Sequence, residues 1–192
     1  MKILGICGSL REESNTNKIV KKVAESSGCD FELVYLSSIE IKPCTACYHC
    51  MMNEGECSQQ DGMQELYPKI MNADAIVFGA PTYFMDISGV AKCMIDRTMA
   101  LFYRGIGEDA EMEVLGKRPL AGRPAVPVTT VAGSGHERAI ETLRTYFQIN
   151  KMKIVEELAE VVGVKDIDEI PEVLRRAEMA GKKLGEALKM VS

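Results

Sequence analysis

The sequence has no long hydrophobic run, no surplus of positive charge and no internal repeat, and each absence removes a class of function. No apolar stretch approaches the ~18 residues of a membrane-crossing helix, so no membrane span is expected. Lys and Arg number 23 against 28 Asp and Glu, a formal net charge of −5. A nucleic-acid surface needs a basic patch, and nothing in this balance suggests one. Met1 to Ser9 carry one cation and a short apolar stretch, without the longer apolar region and cleavage site of a secretory leader. They read as the buried first strand of a cytoplasmic protein. Low-complexity tracts are absent, and no composition shift divides the 192 residues, a length that suits one domain with a sizeable core. Two nucleotide signatures are also missing, the G-x-G-x-x-G dinucleotide fingerprint and the Gly-Lys-Ser/Thr of a Walker A loop.

What is present is the patterning of an alternating α/β chain. Hydrophobic residues make up 46% and charged residues 27%, as in ordinary folded proteins. Strands are predicted over 2–7, 31–36, 73–79 and 123–131, with Pro124 and Pro127 weighing against the early part of the last. The stretch 153–164 fits strand or helix, and its first half is read as strand. Helical spacing predicts helices over 16–26, from an Asp61 cap through Met71, over 88–101, over 137–147, and from Pro171 onward. This order predicts a doubly wound, five-stranded parallel sheet with helices on both faces. The polar, Gly-rich segment 103–122 is too long for a simple connector and is expected near an interface.

Such sheets bind ligands at the carboxyl ends of their strands. The first strand ends in Gly8-Ser9-Leu10-Arg11-Glu12-Glu13-Ser14-Asn15-Thr16-Asn17. Backbone N–H groups at the following helix start form an anion site, hydroxyls of Ser9, Ser14 and Thr16 add donors, and Arg11 adds charge. With no magnesium-binding motif, this set suits a single terminal phosphate such as that of FMN. The same loop also reads as an ordinary helix start capped by Ser14 or Asn15 with Arg11 solvated. The third strand ends at Pro81, Thr82, Tyr83 and Phe84, which can form a flat wall with backbone donors at its edge. The fourth ends at Ala132, Gly133, Ser134 and Gly135, where glycines permit close backbone approach. His136 lies near a helix start and need not be catalytic. No acid–base or nucleophilic constellation is required.

Seven cysteines cannot all pair internally, and four of them fall within fourteen residues: Cys44, Cys47, Cys50 and Cys57. That clustering suggests a metal site in a reducing compartment. Three ligands two residues apart wrap one cube, and the spacer containing Gly55 lets Cys57 close the fourth corner, which suits a 4Fe-4S cluster. Zinc competes, since structural zinc also takes four cysteines, commonly as two close pairs. Cys7, Cys29 and Cys93 read as small buried hydrophobes, and His49 as a bystander within the motif.

Gly8-Ser9-x-Arg11-x-x-Ser14-x-Thr16, Gly79-Ala80-Pro81-Thr82-Tyr83 and Ala132-Gly133-Ser134-Gly135-His136-Glu137 together resemble the NADPH-dependent FMN reductase family, which has the flavodoxin-like fold. The cysteine motif, inserted after the second strand, resembles the iron–sulfur flavoproteins of anaerobic archaea and bacteria more closely still. The resemblance implies FMN held by Ser9, Arg11, Ser14, Asn15 and Thr16, with ring contacts from Pro81, Thr82, Tyr83, Phe84, Ala132, Gly133 and Gly135. It implies a 4Fe-4S cluster on the four cysteines and a homodimer or homotetramer in which one protomer's cluster approaches a neighbour's flavin. It suggests electron transfer from a one-electron donor such as ferredoxin to oxygen, peroxide or a quinone-like acceptor. An NAD(P)H-dependent reductase with a structural zinc loop, and a non-enzymatic electron carrier, stay open as alternatives.

Overall fold

The computed structural model describes residues 1–11, 13–104 and 118–191. Most of the 103–122 segment, expected near an interface, lies outside them.

The chain runs β1 (Lys2–Cys7), α1 (Asn15–Ser26), β2 (Asp30–Tyr35), α2 (His49–Met52), α3 (Met63–Asn72) and β3 (Ala75–Gly79). It continues with β4 (Thr82–Tyr83), β5 (Asp86–Ile87), α4 (Gly89–Arg97), α5 (Met99–Phe102), β6 (Pro124–Val131) and α6 (His136–Ile149). β7 (Lys153–Ile154), β8 (Leu158–Val161) and α7 (Pro171–Val191) complete it. The main sheet is parallel, in the order β2-β1-β3-β6, with β7 and β8 both on the far side of β6.

Side chains alternate across a strand, so β1 sorts its residues between two cores. Ile3 and Cys7 join α1 and α7 on one face, through Ile19, Val20, Val23, Ala177 and Leu184. Leu4 and Ile6 join α3, α4 and α6 on the other, through Leu66, Met94 and Leu143. Burial on both faces explains why β1, β3 and β6 read as nearly continuous apolar runs.

The five predicted strand positions are present, but the fifth is split into β7 and β8, giving six strands. One extra residue sits on the edge side between the pairs Ala125↔Ile154 and Val128↔Leu158. Pro127 accounts for the break. The Ala125 carbonyl faces that edge, accepting from Val155 N at 3.0 Å, and alternation turns Pro127 the same way. Pro127 has no N–H to continue the ladder there. The prolines therefore do not remove β6; Pro124 keeps its pairing with Lys153, and Pro127 interrupts the outer neighbour.

Two further differences are local. The predicted 88–101 helix breaks into α4 and α5 at Thr98, whose hydroxyl bonds back to the Ile95 carbonyl at 2.6 Å. Residues 80–83, expected to break the third strand and wall a ligand site without strand structure of their own, lead into an antiparallel hairpin of β4 and β5 that begins at Thr82.

Candidate functional site: three strand-end loops and a cysteine loop

The β1–α1 loop is organised by Asn17. Its Oδ1 accepts from the Ser9 amide at 3.3 Å, and its Nδ2 donates to the Arg11 carbonyl at 3.1 Å. The buried Ser9 hydroxyl accepts from Arg11 N at 3.2 Å. Ser14 is the extended N-cap of α1, its Oγ accepting from Asn17 N at 3.1 Å. Ser14 thus caps the helix, and the capped first turn leaves the amide groups of an anion site at this end of the sheet. Thr16 lies within 2.7 Å of the Thr130 hydroxyl, joining α1 to the end of β6. Asn15 uses both ends of its amide elsewhere, donating to Lys165 O at 2.8 Å and accepting from Ile167 N at 3.0 Å. It anchors α1 to the turn before α7. Arg11 is exposed beside the loop.

The β4–β5 hairpin stands over the same edge. Its two turn residues, Phe84 (φ +47) and Met85 (φ +70), both have left-handed backbones. That is the geometry of a tight hairpin turn normally built from Asn-Gly. Non-glycine residues held there cost ~1–3 kcal/mol each. Phe84 is fully exposed, at 102%. The hairpin is braced from several sides. Asp86 Oδ1 accepts from Thr142 Oγ1 at 2.8 Å, Thr82 and Thr129 hydroxyls lie 3.0 Å apart, and Ser88 Oγ donates to Gly8 O at 2.7 Å. Met85 folds back over the β6–α6 loop, where a Cβ on Gly135 (φ +90) would meet its sulfur at 2.3 Å. Pro81 is buried, Tyr83 exposed, and Ala132 and Gly133 exposed on the neighbouring loop. The three loops expected to hold a flavin are therefore side by side. His136, at the start of α6, has a buried Nδ1 without a hydrogen-bond partner among the described residues.

The cysteine loop lies elsewhere, beside α4, α5 and α6. Cys44 and Cys47 are exposed, while Cys50 and Cys57 are half-buried against the core. All four line one cavity of about 1120 Å³, whose opposite wall includes Arg97, Met99, Phe102, Tyr146 and Ile149. Ala46 (φ +51) and Tyr48 (φ +57) turn the chain left-handed between successive cysteines. Such reversals arrange backbone N–H groups into the concave nests seen around anionic clusters. Gly55 (φ +82) lets the loop touch α5, since a Cβ there would meet Ala100 O at 2.5 Å. Ser58 Oγ lies 3.3 Å from Cys47 Sγ, and that bond, with the His49 amide, holds the Cys47 thiol below its usual value. Burial, then the other three cysteines of the motif, push Cys50 up. Among the described residues, no three His, Cys, Asp or Glu side chains converge closely enough to hold a metal ion. The donor set and its left-handed turns nonetheless fit a multi-sulfur group.

Of the remaining thiols, Cys7 is fully buried and burial pushes it up to about 12. Cys29 and Cys93 are half-exposed, not buried as expected; Cys29 packs at the margin of the core that α1 and α7 share.

The profile of the NADPH-dependent FMN reductase family matches residues 1–164. An iron–sulfur flavoprotein of Methanocaldococcus jannaschii is 30% identical over 205 residues, covering 100% of this chain and 99% of its own. The chain belongs to the NADPH-dependent FMN reductase family, among its iron–sulfur flavoproteins. This makes it an FMN-dependent oxidoreductase. An iron–sulfur flavoprotein of Methanosarcina thermophila is 26% identical over 196 residues, covering 100% of this chain and 97% of that one. Solved structures agree on a flavodoxin-like fold. A flavone reductase superposes with a TM-score of 0.76 at 22% identity, over 100% of this chain and 64% of that one. A flavodoxin, WrbA-like protein of Agrobacterium tumefaciens gives 0.61 at 14%, over 100% and 98%. No helix among the described residues is long and apolar enough to cross a membrane.

Sequence reasoning missed Asn17, Ser88, Ser58 and Arg97. Arg97 had a visible signal, because it continues the buried stripe Ala91, Met94, Arg97 on α4. A cation on an apolar stripe must have a buried partner.

Proposed function

We propose that the chain carries one FMN on the three strand-end loops and a 4Fe-4S cluster on Cys44, Cys47, Cys50 and Cys57. In this reading it moves electrons between a one-electron donor such as ferredoxin and a small-molecule two-electron acceptor: oxygen, peroxide or a quinone-like compound. The supporting observation is that all four cysteines line a single cavity, apart from the phosphate-type loop at the strand ends. When bound, the cluster exchanges electrons singly and FMN singly or in pairs, which matches such a donor to such an acceptor.

The residues of this chain bind and orient. The Ser9, Ser14 and Thr16 hydroxyls, the α1 amides and Arg11 take the phosphate. Asn15 fixes the first turn of α1 that presents those amides. Pro81, Thr82, Tyr83 and Phe84 wall the ring, and Ala132, Gly133 and Gly135 approach its polar edge. No side chain is assigned an acid–base role.

Around the cysteine cavity, Tyr48, Met99 and Ile149 are exposed. This apolar rim supports a homodimer or homotetramer in which a neighbour covers the loop. A single monomeric mass by light scattering at micromolar concentration would exclude it. All seven thiols are free, which supports a reducing, cytoplasmic setting.

Anaerobic purification tests the reading. The expected content is about four irons and four labile sulfides per chain, with one FMN. Zinc without sulfide would replace the cluster by a structural zinc loop.

A further inference from the structure

Arg97 is a cation with 2% of its surface exposed. A buried charge survives only when paired, and Asp61 meets its two terminal nitrogens at 2.6 and 3.1 Å. The pairing accounts for the charge but not for the rest of the geometry. The same guanidinium donates to Lys42 O at 2.9 Å and reaches Gln59 O at 3.4 Å. Lys42 precedes Cys44 by two residues, and Gln59 follows Cys57 by two. Arg97 therefore clasps both ends of the cysteine loop. Asp61 completes the clasp by accepting from the amides of Lys42 at 2.9 Å and Met63 at 3.1 Å. Gln59 closes it again through Pro43 O at 3.0 Å.

One donor is left over. Arg97 Nε is buried and has no hydrogen-bond partner among the described residues. A buried unsatisfied donor on a charged group is costly, and such groups call for a ligand or a functional reason. Arg97 lines the very cavity that the four cysteines line. Tyr67 braces the same residue, its hydroxyl donating to the Arg97 carbonyl at 2.9 Å. A group held by four thiolates gains negative charge on reduction. A fixed cation with a free N–H beside it favours the reduced form, because hydrogen bonds to sulfur and local charge set cluster potentials.

We propose that Arg97 is the positioning and potential-setting residue of the cysteine loop, clasping both loop ends through its terminal nitrogens and supplying its free Nε–H to a sulfur of the bound cluster. This rests on the four-cysteine reading above.

The test compares the parent with Arg97→Lys and with the neutral pair Asp61→Asn/Arg97→Gln, all purified anaerobically and reconstituted with iron and sulfide. Iron, sulfide and FMN per chain are counted. The cluster potential is taken from an EPR-monitored redox titration, and iron loss is timed against a chelator. Both variants should keep parental FMN. Both should release iron about tenfold to a hundredfold faster, as loss of an outer-shell partner does at metal sites. Both should titrate at a more negative potential, the neutral pair further than Arg97→Lys. Parental potential and parental iron retention in both variants would overturn the role of Arg97. If neither variant folds, the parent decides. Protein labelled with ¹⁵N at arginine Nε should show a ¹⁵N coupling in pulsed EPR of the reduced cluster, retained in Arg104→Lys; no such coupling overturns the proposal. A parent without iron and sulfide would instead defeat the four-cysteine reading itself.

Discussion

The Ser88 hydroxyl donates to the Gly8 carbonyl at 2.7 Å across eighty residues of sequence. The bond ties the end of the β4–β5 hairpin to the start of the β1–α1 loop, so the ring wall and the phosphate loop share one fixed spacing. Both groups are buried. Ser88→Ala should cost ~1 kcal/mol of stability. It should also weaken FMN binding, because the two halves of the site would no longer be held in register. Urea denaturation and flavin fluorescence titration on the same preparation check both effects. Parental flavin affinity in a destabilised variant would separate the bond from the site.

Arg11 and Ser14 act on the phosphate by different routes, one by charge and one by setting the helix start. Ser14→Ala removes a cap and should cost ~1 kcal/mol of stability. Arg11→Ala, at an exposed position, should leave stability unchanged. Together they should weaken FMN about tenfold or more. The FMN dissociation constant of the double variant is the measurement, and unchanged affinity would count against the phosphate assignment.

The strained turn of the hairpin makes a sharper contrast. Replacing Phe84-Met85 by Asn-Gly supplies the residues that this backbone favours. Stability should rise by ~1 kcal/mol or more as the strain is relieved. FMN affinity should fall, because an exposed aromatic and the side chain seated on Gly135 are removed. Thermal midpoints in the flavin-free and flavin-bound protein measure the two changes separately.

These elements also show where sequence reading works. β1 and β3 were legible because burial on both faces leaves unbroken apolar runs, and the sorting of Ile3 and Cys7 from Leu4 and Ile6 follows from strand alternation alone. The Ser14 cap and the three strand-end loops were legible from local chemistry. The hairpin was not, since Phe84-Met85 carries no turn signal and its strain is offset by contacts with Thr142 and Gly135, far along the chain. The split of the fifth strand depends on Pro127 facing outward, which only the register reveals. The clasp of Arg97 and Asp61 joins residues 36 apart, and the apolar stripe on α4 marks the Arg97 end of it without naming its partner.

That clasp sets a pH dependence. Burial would raise the Asp61 carboxyl, but the bonds from Arg97 and from the amides of Lys42 and Met63 outweigh it and hold Asp61 below the usual carboxylate range. A depressed carboxylate contributes its full stability above its unfolded value, ~3.9, and loses it as the pH falls through the lower folded value. Acid loosening of the cysteine loop through this group should therefore begin only below about pH 4. Asp61→Asn should lack this acid limb and be less stable above it by ~3–5 kcal/mol, the cost of leaving a buried cation unpaired. Urea midpoints across pH for both proteins decide it.

Cys47→Ala tests the central claim, that the cysteine loop carries electrons to a flavin held elsewhere. The variant should lose its cluster and keep FMN, because Cys47 lies on the cavity beside α4 and α6 while the flavin loops lie at the ends of β1, β3 and β6. Small chemical reductants should reduce its flavin as they do the parent's. Stopped-flow reduction by ferredoxin is the decisive comparison, and the variant's flavin should be reduced far more slowly. Equal rates in parent and variant would contradict the account and leave the cysteine loop a structural element.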